Sequence, residues 1–90
     1  MTGNDQRWAG VEVAVSQVAG SADTFRVIFE ESGLAGKTRL ATVYVEGGES
    51  PAVTRVGRTA GAEAIGLART DLERKALAVV QNLAEALAWD

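Results

Sequence analysis

The sequence predicts a small α+β domain: a meander of three to four antiparallel strands with one C-terminal helix packed on one face, a two-layer sandwich. Three observations carry this. Val11, Val13 and Val15 alternate with Glu12, Ala14 and Ser16, and Phe25, Val27 and Phe29 alternate with Arg26, Ile28 and Glu30, both at the period of a half-buried strand. Glycine-bearing breaks at 19–23, 32–36 and 47–51 separate these runs at hairpin distances. The last twenty residues contain neither glycine nor proline and repeat their apolar positions at helical spacing.

Taken in order, residues 1–7 are polar and are expected to be disordered, and the first strand is expected over 8–18. Ala19-Gly20-Ser21-Ala22-Asp23 is turn chemistry, and 24–31 forms the second strand. Ser32-Gly33-Leu34-Ala35-Gly36 makes the next hairpin, with a glycine available for positive φ. The third strand, 37–46, reads as apolar on both faces under strict alternation, with Leu40, Thr42 and Tyr44 on one and Ala41, Val43 and Val45 on the other. Gly47-Gly48-Glu49-Ser50-Pro51 ends it, and 52–58 is a short fourth strand. Residues 59–69 form a connection open to helix, strand or loop: Gly61 and Gly66 weaken a helix, and 63–68 fits an extended edge segment equally well.

The helix is expected over 70–89. Thr70-Asp71-Leu72-Glu73 has the form of a capping box, with acids where the positive end of the helix dipole favours them. Leu72, Ala76, Val79, Val80, Leu83, Ala86 and Leu87 share one arc, and Leu77, Ala84 and Ala88 widen it. The boundaries are thus 1–7 as a tail, 8–58 as the sheet, 59–69 as a connection and 70–89 as the helix, all in one domain.

Composition narrows function mainly by exclusion. At ninety residues a chain buries only about 60–65% of its unfolded surface, so its core is thin. There is no cysteine for a disulfide or thiolate metal site, and no histidine to serve as a base or ligand. Without those groups a nucleophilic serine lacks its usual base partner, and Lys37 and Lys75 sit in polar contexts that would not activate them, so the chain is read as no enzyme, with no cofactor and no metal. The polar start lacks a secretory signal's apolar run, and nothing approaches the roughly 20 apolar residues of a membrane span; the expected location is cytoplasmic. Arginine outnumbers lysine, and alanine, glycine and valine are abundant, as in GC-rich bacterial or phage coding. The net charge of −3, with dispersed positives, argues against a nucleic-acid partner.

Several local patterns need weighing. Gly33-Leu34-Ala35-Gly36-Lys37-Thr38 ends like a phosphate-binding loop, but Glu31 stands where the first glycine belongs, and a strand follows where that motif requires a helix. A hairpin loop is the better reading. Arg58 and Arg69, in a glycine-bearing connection, are possible anion contacts, against the plainer reading of solvated loop residues. The pairs Glu30-Glu31, Glu46/Glu49 and Asp71/Glu73 read as surface or capping acids. Tyr44 reads as a lone aromatic lacking the basic surround of a base-stacking platform. Trp8 and Trp89 are read as packing on the core edge.

The expected function is therefore a non-catalytic protein-interaction module, self-associating as a homodimer or higher oligomer and acting as a small adaptor or inhibitor of a larger protein. Surplus apolar surface at Ile28, Tyr44, Leu77, Ala84 and Ala88 marks the expected interface. The alternative is a nucleic-acid-binding module using Arg26, Arg39, Arg55, Arg58 and Arg69.

Overall fold

The computed structural model describes residues 6–88, with side chains described through residue 85. A 3₁₀ turn at Gln6–Trp8 leads into strand β1 (Val11–Gln17), followed by β2 (Thr24–Gly33), β3 (Gly36–Glu46) and β4 (Ala52–Arg58). A short helix α1 (Ala60–Ala64) and a long helix α2 (Arg69–Ala88) complete the chain. The strands form one antiparallel sheet in the order β1-β2-β3-β4, each pairing with its sequence neighbour. The helices cover one face, with α2 over β3 and β4 and α1 against β3. This is the predicted α+β meander with its C-terminal helix.

The first strand is shorter than expected because Trp8 belongs to the preceding turn, closed by the Ala9 amide on the Gln6 carbonyl. Gln6 and Arg7 are likewise part of that turn, contrary to the disorder expected of them, while residues 1–5 lie outside the described part. Trp8 leans on Phe29, ring centres 5.8 Å apart, and so extends the helical layer over the sheet. Trp89 lies outside the described residues.

Strand β3 departs from strict alternation, and this decides which face is apolar. Phe29 pairs with Ala41 but Glu30 pairs with Arg39, so Leu40 is the extra residue of a β-bulge. The bulge turns Leu40 inward beside Ala41, and Val27, Phe29, Leu40, Ala41, Val43 and Val45 are all fully buried. The expectation that β3 is apolar on both faces is thereby corrected: beyond the bulge only Thr42 and Tyr44 look outward. The bulge is held from β4's end, where the Thr59 amide and hydroxyl both donate to the Leu40 carbonyl at 2.9 Å.

Thr59 is also the N-cap of α1, accepting from the Gly61 amide at 3.2 Å. The connection predicted at 59–69 is thus a one-turn helix. It ends in a Schellman motif: the Gly66 amide bonds the Glu63 carbonyl, and the Leu67 amide bonds the Ala62 carbonyl. Gly66 takes φ +80°, which its missing Cβ allows, and Leu67 drops fully buried into the core.

Helix α2 starts one residue before the expected position, on a different cap. Ala68 is the cap residue, and the Asp71 carboxylate reaches back to its amide at 2.8 Å. The Thr70–Glu73 box does not form; Glu73 instead pairs with Arg69 at 3.5 Å. Leu72, Ala76 and Val80 are the buried stripe, one helical turn apart, and Leu77 packs half-buried at its margin.

Candidate functional site

One face of the sheet lies under the helices; the other is covered by no element among the described residues. Strand register orders the open face into rows. Ala14, Ile28, Thr42 and Gly57 form the middle row. On one side lies Ser16–Arg26–Tyr44–Arg55; on the other, Glu12–Glu30–Arg39. Ile28, Thr42 and Tyr44, on the two central strands, are half-buried by these neighbours, while Arg26 and Arg55 are exposed.

The two flanking rows differ in electrostatics. In the second, each acid is answered: Lys37 Nζ lies 3.2 Å from Glu12, and Arg39 Nε lies 3.4 Å from Glu30 while its Nη1 donates to Thr42. Ser32 also donates its hydroxyl to Glu12, and this bond, followed by the hydrogen bond and then the charge of Lys37, holds the Glu12 carboxyl below the ordinary glutamate range. In the first row, Arg55 stacks its guanidinium 5.8 Å from the Tyr44 ring centre. Arg26, on Tyr44's other side, makes no hydrogen bond or ion pair among the described residues. Tyr44 therefore stands between two arginines, and the reading of it as an aromatic without a basic surround is corrected. Strand alternation could reveal which residues share a strand face, but the cross-strand neighbours follow from register.

The residues expected to form one interface are divided between opposite sides of the molecule. Ile28 and Tyr44 are on the open face. Leu77 and Ala84 are on α2 beyond the other face, Leu77 against the core and Ala84 exposed. The Ala88 side chain lies outside the described part. Arg58 Nε donates to the Leu67 carbonyl at 3.1 Å, tying β4 to the turn before α2, and Arg69 is paired with Glu73. The Gly33–Gly36 segment is a tight hairpin with Leu34 fully exposed at its tip, and Lys37 is held by Glu12 rather than aimed into the loop.

Away from the open sheet face, an open groove of about 260 Å³ is lined by Arg7, Trp8, Asp71, Arg74, Lys75 and Ala78. Its floor is structural: Arg7 Nη1 bridges the Gly66 carbonyl at 3.0 Å and Asp71 at 2.9 Å, clasping the N-terminal turn to the start of α2. Lys75 lies 5.5 Å over Trp8. Among the described residues, no three metal-ligating side chains gather, and no helix is long and apolar enough to cross a membrane. Compared with known proteins, the chain matches no family model, no curated protein and no solved structure.

Proposed function

We propose that the protein is a non-catalytic interaction module, self-associating, which presents the open sheet face to a larger protein as an adaptor or inhibitor. The observation that carries this reading is the row Arg26–Tyr44–Arg55 beside Ile28. Tyrosine and arginine dominate the energetics of protein interfaces, because a ring and a planar cation cover area at small entropic cost. Here Arg26, Tyr44 and the aliphatic Ile28 sit on the two central strands, with Arg55 beside them on β4. The partner surface this favours is apolar at its centre, to take Ile28 and the Tyr44 ring, and carries carboxylates placed for the two guanidinium groups.

The test is quantitative affinity capture from the native host with wild type, Tyr44→Ala, the pair Arg26→Glu/Arg55→Glu, and Gln81→Glu on α2 as a surface control. A protein retained by wild type and control but lost with the sheet variants supports the reading. Equal retention on all four removes the open face from it.

The same row supports a second reading, because aromatic stacking flanked by arginine also suits single-stranded nucleic acid. Fluorescence anisotropy with labelled oligonucleotides separates the two. Saturable binding that weakens steeply with salt and is lost in Tyr44→Ala would favour nucleic acid over protein.

A further inference from the structure

The sheet has two edges, and among the described residues only one is guarded. The β4 edge follows Pro51, carries a bulge at Thr54 where Tyr44 pairs with Arg55 but Val45 pairs with Val53, and bears Arg55 and Arg58. These are features that discourage another strand from docking. Strand β1 has none of them. Val11–Gln17 runs in unbroken register with β2, without proline, glycine or bulge, and its single charge, Glu12, points to the open face.

Which backbone groups that edge offers follows from one hydrogen bond. The Val18 amide donates to the Thr24 carbonyl at 2.8 Å, continuing the β1–β2 register. Hydrogen-bonded pairs alternate in an antiparallel ladder, so Ser16, Ala14 and Glu12 bond to β2. Val11, Val13, Val15 and Gln17 then turn their amides and carbonyls outward, and among the described residues nothing pairs with them. The same three valines point to the helical face, where α2 lies over β3 and β4 and leaves them only half-buried.

We propose that β1 pairs with β1 of a second copy, antiparallel about a two-fold axis at Ala14, joining two sheets into one of eight strands. This rests on the self-association in the proposed function and supplies its surface. The sequence is self-complementary in this register. Val13 lies opposite the partner's Val15 and Val11 opposite the partner's Gln17, so every outward group named above finds an acceptor or donor. On the open face Glu12 meets the partner's Ser16, which can donate to it. The two Glu12 carboxylates are four residues apart along the ladder, about 13 Å, beyond the Debye length of ~8 Å at physiological salt. The valines of both copies merge into one strip on the helical side, removing their remaining exposed surface from water. Pairing leaves the Arg26–Tyr44–Arg55 row uncovered and doubles it across the joined sheet.

The experiment combines light scattering with amide hydrogen exchange on wild type, Ser16→Glu and Ser16→Lys. Ser16 is exposed and its cross-strand neighbour is Arg26, so the glutamate is compatible with the folded monomer. In the dimer it stands directly opposite the partner's Glu12, twice by symmetry, and should raise the dissociation constant about tenfold. The lysine should leave the dimer intact. Within β1 the amides of residues 11, 13, 15 and 17 should gain protection as protein concentration rises. A wild type that stays monomeric to near-millimolar concentration overturns the pairing and the self-association together. A dimer whose odd-numbered β1 amides stay unprotected, or one indifferent to Ser16→Glu, overturns the pairing alone and leaves self-association through another surface.

Discussion

Asp71 holds two groups at once: the Ala68 amide that opens α2 and the Arg7 guanidinium from the chain's other end. Removing a side-chain cap costs about 0.5–2 kcal/mol, so Asp71→Ala should lose about 1–2 kcal/mol in urea unfolding. Asp71→Asn, which keeps an acceptor oxygen for Ala68, should lose less. Thr70→Ala should change little, since Thr70 is exposed and caps nothing. The sequence shows that an acid-rich turn starts the helix but not which residue is the cap. Two overlapping patterns, Thr70–Glu73 and Ala68–Asp71, fit the spacing, and the Arg7 contact from sixty-four residues away favours the second. Glu12 gives a pH-dependent readout. Its folded-state carboxyl is depressed by Ser32 first and Lys37 second, so its contribution is present above the ordinary carboxylate range and lost as pH falls through the lowered value. Ser32→Ala should move the Glu12 titration upward in a carboxyl NMR experiment, towards the unpaired value.

At the scale of elements, the bulge in β3 has the largest effect on the core. Leu40 is fully buried, and truncating a buried leucine costs about 2–5 kcal/mol through lost contacts and the cavity left behind. Leu40→Ala should therefore be among the most destabilising single changes, whereas Leu34→Ala, at the exposed hairpin tip, should fall within about 0.5 kcal/mol of wild type. Thermal and urea unfolding of the two variants checks this. Alternation alone assigns Leu40 to the open face, because a bulge adds one residue without marking itself in the local pattern. Its cause is tertiary: the Leu40 carbonyl accepts from Thr59, 19 residues further along the chain, a long-range bond that no local window contains. The connection at 59–69 is a different case. Gly66 followed by the apolar Leu67 is the signature of a Schellman stop, so the signal for α1 was present, but both glycines weigh as breakers when read without the cap that each serves. The regular strands β1 and β2 and the body of α2 were legible because their burial is periodic and met by a single neighbouring layer.

For the whole molecule, a net charge of −3 conceals how the charges are placed. The open face gathers Arg26, Lys37, Arg39 and Arg55, and the single row Ala14–Ile28–Thr42–Gly57 separates the paired cations from those beside Tyr44. That grouping depends on strand neighbours, which no composition reveals, and it is why the candidate surface was only partly legible from Ile28 and Tyr44 in isolation. The order of events in folding follows from the clasp between Arg7 and the start of α2. A meander pairs each strand with its neighbour, so its ladders close short loops, whereas Arg7 reaches Gly66 and Asp71 across 59 and 64 residues. Closing so long a loop carries a greater entropic cost than a hairpin and is repaid only once both ends are in place. The clasp is thus expected after the transition state. In stopped-flow chevrons, Arg7→Ala should leave the folding limb near wild type and raise the unfolding limb. The contact would then govern how long a folded molecule persists, with little influence on how quickly it forms.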